Sequence, residues 1–169
     1  DMITFVPITP PFIQAQNVSK RKGHGLELEV DYSPNYNLRF LGNYAWQKSE
    51  DRATGADVGE APGQKAYLRS EWLFLPDWHL DSQLTWVGKQ KRAATDNRPA
   101  LDDYTTVDVT LRKRDVLQNL SLALSVRNLT DADVREPSPG PGPTLPVPAI
   151  PDDFPMAGRS LWVEGQYQF

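Results

Sequence analysis

The chain has 169 residues, which is enough for one ordinary domain with a core of useful size. Its net charge of −4 argues against a general nucleic-acid-binding protein, and the absence of cysteine excludes disulfides and thiol chemistry. No apolar run approaches the roughly 18 residues that a transmembrane helix needs. Strands of alternating hydropathy, which cross a bilayer as a barrel, are still compatible with this composition.

Apolar and polar residues alternate along most of the chain, which is the pattern of β-strands whose two faces meet different surroundings. In the first clear segment, Leu26 and Leu28 alternate with Glu27 and Glu29. Such segments cover residues 25–32, 38–46, 66–74, 80–88, 105–112, 120–128 and 161–169. Fragments around Ile3–Val6 and Phe12–Val18 predict one or two more strands. We therefore predict an all-β fold.

The connections between these strands alternate in length. The short links are Ser33–Asn37, Leu75–His79 and Lys113–Asn119. The long links are Gln47–Lys65, Lys89–Asp103 and Leu129–Gly158. Because each short link is followed by a long one, all short turns fall at one end of the sheet and all long loops at the other. This predicts an antiparallel up-and-down meander, and it is typical of outer-membrane barrels.

Aromatic residues are predicted near both strand ends, as in the two interfacial girdles of a membrane barrel. At the short-turn end these are Tyr32, Tyr36, Phe74, Trp78, Tyr167 and Phe169, and at the long-loop end Tyr44, Trp46, Tyr67, Trp86 and Tyr104. A soluble β-sandwich, for instance a carbohydrate-binding module, also alternates apolar and polar residues. The sandwich predicts that Trp46, Trp72 and Trp86 pack in a dry core between two sheets.

Three stretches resemble the C-terminal barrel region of TonB-dependent outer-membrane receptors. "KRKGHGLELEVDYSPNYNLRFLGNYAW" resembles the family's Gly-x-Glu-x-Glu strand with its returning partner. "LDDYTTVDVTLRKR" with "NLSLALSVRNLTDAD" resembles its penultimate hairpin, closed by the Asn-Leu-x-Asp motif at residues 128–131. "AGRSLWVEGQYQF" resembles its closing strand with a terminal aromatic residue. Together these stretches span most of Lys20–Phe169.

The resemblance implies the C-terminal seven to nine strands of a transmembrane β-barrel of about 22 strands. Residues 1–169 would then be a partial barrel domain, with the plug and the N-terminal strands outside this chain, and residues 129–158 a long proline-rich extracellular loop. The resemblance also implies a multi-pass barrel in the outer membrane of a Gram-negative bacterium. An assembly signal would comprise Leu161, Val163, Tyr167 and Phe169.

The function that the resemblance implies is TonB-dependent active uptake of a ferric siderophore or a similar metal chelate. The expected partners are the TonB energy-coupling complex, the barrel-assembly machinery, outer-membrane lipid and the chelate itself, with no nucleic acid. Another outer-membrane barrel, such as a porin or an adhesin, is the alternative within this fold. No arrangement of residues suggests catalysis, so we expect a receptor that is not an enzyme and has no cofactor and no metal site of its own.

Two groups of residues are candidates for function. The second long link offers a mixture of charges and an aromatic ring that suits a chelate with an anionic rim: Arg92, Arg98, Asp102, Asp103 and Tyr104. The polar face of the predicted strands would point into the barrel lumen and form cross-strand ion pairs: Glu27, Glu29, Asp31, Arg39, Arg69, Glu71, Asp108, Arg112 and Arg127. The acidic pairs Asp102–Asp103 and Asp152–Asp153 are interpreted as solvated loop carboxylates.

Overall fold

The computed structural model describes residues 2–9, 12–52, 55–59, 61–92, 96–140 and 150–169. The strands in these ranges are β1 (Met2–Pro7), β2 (Ile13–Ser19), β3 (Arg21–Asn35), β4 (Leu38–Asp51), β5 (Gln64–Leu75), β6 (Trp78–Gly88), β7 (Tyr104–Leu117), β8 (Leu120–Arg127), β9 (Arg135–Glu136), β10 (Phe154–Pro155) and β11 (Ser160–Tyr167). Among the described residues, no helix is long and apolar enough to cross a membrane.

Seven strands form one antiparallel sheet in the order β11-β8-β7-β6-β5-β4-β3. Every neighbour in the sheet is also a neighbour in sequence, except that β11 follows β8 after the third long link. The predicted all-β meander is therefore confirmed. A sandwich would need a second packed sheet, and Trp72 is instead 46% exposed, so the sandwich alternative is wrong.

The short turns are tight because Asp and Asn occupy backbone positions that most residues avoid. Asp77 and Asn119 have φ values of 62° and 63° in the turns between β5 and β6 and between β7 and β8. At the other end, β4 continues to Asp51, beyond the predicted strand end at Trp46. The reason is that β3 begins at Arg21 and offers β4 a partner along its whole extra length.

Cross-strand register gives the sheet two chemically different faces, because directly opposed residues of antiparallel strands share a face. One row of the apolar face runs through Val30, Gly42, Leu68, Leu84 and Val107. The polar face carries all nine residues predicted for it, and the row through Asp31, Leu41, Arg69, Gln83 and Asp108 is an example.

The register corrects one detail of the predicted aromatic clusters. Tyr67 pairs with Asn43 and Thr85, and Tyr104 pairs with Val87, so both tyrosines lie on the polar face. Their position along the strand had placed them in a girdle. Successive side chains of a strand point to opposite faces, however, so the odd or even position of a residue, its parity, decides which face it occupies. Trp46 and Trp86 remain at the long-loop end of the apolar face.

Two small sheets accompany the large one. β1 pairs with β2, so the predicted N-terminal fragments are strands, although they form their own two-stranded sheet. β9 pairs with β10 and ties the two described ends of the third long link together. Val134, one of the few buried apolar residues among those described, lies in this link where it approaches the sheet.

Candidate functional site

Three long loops join the strands at one end of the sheet: the first long loop (residues 52–63), the second (residues 89–103) and the third (residues 128–159). The third loop begins in a turn built by the Asn-Leu-x-Asp motif. The Asn128 side chain accepts from Ala132 N and donates to Ala132 O, both at 2.9 Å. Asp131 accepts from Arg159 N at 2.9 Å, so the motif connects the end of β8 to the start of β11.

A cluster of five polar side chains holds the second and third loops together, and we call it the loop clasp: Arg92, Asp96, Arg98, Ser138 and Asp153. The Arg92 guanidinium donates two hydrogen bonds of 2.6 Å to the two oxygens of Asp153. Arg98 donates to Asp96 at 2.6 Å and to Asp153 at 3.2 Å. Planar guanidinium groups bind carboxylates in this two-pronged way with high geometric specificity.

The loop clasp is largely shielded from solvent, with Arg98 the most exposed of its charged side chains at 17%. The side chains of Asp96 and Asp153 are 1% and 8% exposed, and that of Arg92 is 9% exposed. Hydrogen bonds from Arg92 and from Ser138 hold the pKa of Asp153 well below its usual range. The hydrogen bonds from Arg98 likewise lower the pKa of Asp96. Both carboxylates are therefore ionised at neutral pH, and each neutralises an arginine that is largely covered by its neighbours.

The first long loop is attached to the second by a separate ion pair between Lys91 and Asp57. Asp57 also accepts from Gly59 N at 3.0 Å, which fixes the turn that carries it. Backbone bonds reinforce the connection, since Gly63 N donates to Lys89 O at 3.1 Å. The three long loops therefore form one contiguous set of contacts at this end of the sheet.

Beneath the third loop, on the polar face, lies a groove with a volume of about 810 Å³. Strands β6, β7, β8 and β11 supply its floor, and Val134, Glu136 and residues 156–158 of the loop supply its other wall. The groove residues able to contact a charged or aromatic ligand are Tyr104, Asp108, Arg127, Glu136, Trp162 and Glu164. This mixture of both charges with two aromatic rings suits a polar ligand that also has apolar or planar parts.

The predicted ligand residues of the second loop have different surroundings from those expected of a free binding surface. The donors of Arg92 and Arg98 are engaged within the loop clasp. Asp103 accepts from Lys89 N at 2.8 Å, and Asp102 is exposed. Tyr104 does line the groove, where its hydroxyl donates to Glu136 at 3.0 Å. A ligand-binding role for these five residues stays a prediction.

The polar face of the sheet carries a ladder of ion pairs, part of which lies in the floor of the groove. Arg39 donates to Asp31 at 2.6 Å, and Arg69 pairs with Glu71 at 3.0 Å and with Asp81 at 2.5 Å. Two further pairs join Arg112 to Glu164 and Arg127 to Asp108. Glu27 and Glu29 are exposed on the same face. The predicted cross-strand pairing is therefore present, and whether this face lines a lumen stays a prediction.

Sequence reasoning missed Asp153 and Trp162. Asp153 was interpreted as a solvated carboxylate, but it is 6% exposed, and this interpretation is wrong because two arginines from the second loop cover it. Trp162 has the polar parity of β11, opposite Ser125, and its ring lines the groove. A large aromatic residue among polar ones was a signal that could have indicated it.

Within the described ranges, no group of three or more histidine, aspartate or glutamate side chains could hold a metal ion. His24 lies against the Trp46 ring and His79 lies opposite Arg112, so the two histidines are on different strands and different faces.

Solved structures of receptors and transporters, whose chains are much longer than this one, have the same fold. The ferripyoverdine receptor of the outer membrane of Pseudomonas aeruginosa is 17% identical, with a TM-score of 0.73 over 96% of this chain and 22% of its own. The ferric yersiniabactin uptake receptor FyuA from Yersinia pestis is 18% identical, with a TM-score of 0.75 over 92% and 25%. The copper transporter OprC is 18% identical, with a TM-score of 0.70 over 99% and 26%.

The chain thus spans about a quarter of these proteins, and identities this low show the fold alone. No curated protein sequence matches the chain. The family description "TonB dependent receptor-like, beta-barrel" matches residues 1–129, which is most of the chain and includes β1 to β8. With the single meander sheet and its two unlike faces, this match establishes that the chain belongs to the TonB-dependent receptor-like β-barrel family.

Proposed function

We propose that this chain is part of the wall of an outer-membrane active transporter that takes up a ferric siderophore or a similar metal chelate in a TonB-dependent manner. Its apolar face meets lipid, its polar face meets the lumen, and its three long loops are extracellular. The observation that carries the proposal is the groove, which lies on the polar face beneath the loops and combines Arg127, Asp108 and Trp162.

The groove has the chemistry that a metal chelate requires. Such ligands combine anionic oxygens with planar organic parts, and Arg127 can pair with the first while the rings of Tyr104 and Trp162 pack on the second. The Arg127 side chain is 59% exposed, and among the described residues its one ion pair is long, at 3.3 Å to Asp108. Its guanidinium therefore has donors left for a ligand.

The two faces of the sheet support the membrane position. Along β4, Leu38 to Trp46 presents an apolar stripe roughly 26 Å long at about 3.3 Å per residue. At the usual strand tilt of about 35–45°, this stripe covers roughly 19–22 Å of the apolar band of about 25 Å that outer-membrane barrels present to lipid. The siderophore receptors named above are similar in fold, and the family description agrees with an energy-coupled receptor. Transport by displacement of a plug would need no covalent chemistry from this chain.

Uptake by cells tests the proposal directly. Cells that make the full-length protein as their sole candidate receptor are given radiolabelled ferric chelates and, in parallel, copper chelates. We expect uptake of one ferric chelate that stops when TonB is deleted. Uptake that continues without TonB would favour a passive barrel such as a porin, and uptake of copper alone would overturn the ferric assignment.

A groove variant links this transport to the described residues. Trp162→Ala removes the ring that lines the groove, so we expect the chelate to bind about tenfold more weakly, which corresponds to about 1.4 kcal/mol. Gln166→Ala, on the same face of β11 but outside the groove, is the control and leaves affinity unchanged. Equal affinity of both variants and the natural protein would place the ligand elsewhere.

A further inference from the structure

The apolar face of β3 and β4 ends in positive charge at the long-loop end. Leu26 lies opposite Trp46, and the next pair on the same face is His24 with Lys48. Beyond it, Lys22 lies opposite Glu50. We call Lys22, His24 and Lys48 the basic rim. Lys20 and Arg52 follow directly, both exposed and joined by a hydrogen bond from Arg52 N to Lys20 O of 2.8 Å.

The basic rim has an excess of cations over carboxylates. Glu50 pairs with Lys48 at 3.8 Å, a long contact, while the Lys48 side chain remains 50% exposed. In the part of the chain that the structure describes, Lys22 has no ion pair. An acidic chain with a net charge of −4 therefore keeps exposed lysines at one corner of its apolar face.

The three strands that follow β4 in the sheet carry no such charge at the long-loop end. On the same face and at the same end, β5 presents Gln64, β6 presents Gly88 and β7 presents Thr105, none of them cationic. A rim that served only to keep the strand ends hydrated would not need its positive charge concentrated on two neighbouring strands. The concentration indicates an anionic occupant.

The occupant must also have an apolar part, because the basic rim directly adjoins the apolar side chains of β3 and β4 on the same face. The His24 and Trp46 rings contact edge to face with centroids 5.5 Å apart, and Leu26 and Leu28 continue the stripe below them. Tryptophan prefers the level of lipid headgroups, and lysine side chains extend along apolar surface to reach phosphates at that level. Soluble anions have nothing to place on Leu26 and Trp46.

We propose that the basic rim binds the phosphorylated headgroup of an outer-leaflet lipid, whose acyl chains lie along the apolar face of β3 and β4. Lys22 and Lys48 pair with the phosphates, and the Trp46 and His24 rings contact the boundary between headgroup and chains. This inference rests on the proposed function, because it requires that the apolar face meets the membrane.

The test uses the full-length protein in nanodiscs of phosphatidylcholine that contain a minor amount of diphosphorylated lipid A. Lipid that co-purifies with the protein is counted by native mass spectrometry. The variant Lys22→Gln/Lys48→Gln removes two charges, and Lys65→Gln, opposite Ala45 on the polar face at the same end, is the matched control. A basic residue near an anionic surface contributes about 1 kcal/mol, or about fivefold, so the double variant should lose roughly 25-fold of the lipid A enrichment.

The control should keep the enrichment of the natural protein, and fully dephosphorylated lipid A should not be enriched. Enrichment that survives in the double variant, or that Lys65→Gln reduces equally, would overturn the proposal. Displacement of lipid A by inorganic phosphate would also overturn it, because the site would then recognise a soluble anion. Failure of the folded natural protein to enter nanodiscs would instead contradict the membrane position, which separates the two failures.

Discussion

Two arginine–carboxylate pairs, each with two hydrogen bonds of similar length, have very different surroundings. In the loop clasp, Arg92 donates to both oxygens of Asp153 at 2.6 Å, and the side chains are 9% and 8% exposed. On the sheet, Arg39 donates to both oxygens of Asp31 at 2.9 Å and 2.6 Å, and the side chains are 47% and 52% exposed.

The difference teaches that burial, more than geometry, decides what such a pair does. An exposed pair exchanges its partner for water at little cost, so the sheet pairs can rearrange without loss of the sheet. A buried pair that loses one member leaves an unpaired charge away from water, which is strongly unfavourable. The loop clasp therefore fixes the second and third loops relative to each other, while the sheet ladder forms a hydrated polar surface.

The largest effect is expected for Asp153→Asn. The substitution leaves Arg92 without its buried counter-charge and should destabilise the clasped loops by roughly 3 kcal/mol. Hydrogen exchange of residues 96–103 and 129–140, measured by mass spectrometry, should become much faster. The neighbouring exposed carboxylate provides the control, since Asp152→Asn should leave exchange unchanged. Equal effects of the two substitutions would contradict the distinction between buried and exposed pairs.

Acid should open the loop clasp in the same way. The pKa of Asp153 and of Asp96 is lowered in the folded protein, whereas an unfolded aspartate has a pKa of about 3.9. Their contribution to stability is therefore complete above about pH 5 and is lost as the pH falls through the lowered values.

Loop exchange, corrected for its intrinsic pH dependence, should be constant from about pH 7 to 5 and accelerate below about pH 4. Asp153→Asn should show a weaker acid response, since it has already lost the main carboxylate. An acceleration near pH 6 in the natural protein would mean that another group controls the loops.

A smaller effect is expected where the first loop meets the second. Lys91 and Asp57 are 36% and 33% exposed on their side chains, so Lys91→Ala should cost about 0.5 to 1 kcal/mol, less than a buried pair would. Exchange should accelerate in residues 55–59 and hardly change in residues 150–158. Lys89→Ala, which removes an exposed neighbouring charge, is the control. Release of the third loop by Lys91→Ala would show that the loops are more strongly coupled than the contacts indicate.

The smallest effect is expected on the sheet itself. Arg39→Gln removes the guanidinium that pairs with Asp31 and approaches Glu71, but water reaches all three side chains. The melting temperature of the full-length protein in detergent should stay within experimental error. A clear drop would mean that this pair is covered by other parts of the full-length protein and is no longer comparable with an exposed one.

Local alternation made the sheet predictable from sequence. Leu26 and Leu28 alternate with Glu27 and Glu29, and this alone assigned the faces that the register then confirmed. The meander followed from the alternating link lengths. Tyr67 was assigned to an aromatic girdle because of its distance from the strand end, although its odd position in β5 puts it on the polar face.

The loop clasp was not predictable in the same way. Arg92 and Asp153 are 61 residues apart, and their meeting depends on loop conformations that have no periodic signal. Only the contact between Asp96 and Arg98, two residues apart, was local enough to be inferred. Proline-rich composition indicated a stiff loop, but not that Ser138 and Asp153 would be brought together across it.

The central claim is that the two faces of the sheet meet lipid and water, and site-directed spin labelling tests it most directly. The chain has no cysteine, so single cysteines at positions 28, 29, 30 and 31 of β3 each direct a nitroxide to one known face. In bilayers, the account predicts collision with lipid-soluble oxygen at 28 and 30 and with a water-soluble nickel chelate at 29 and 31. Equal access of the nickel chelate at all four positions would contradict it.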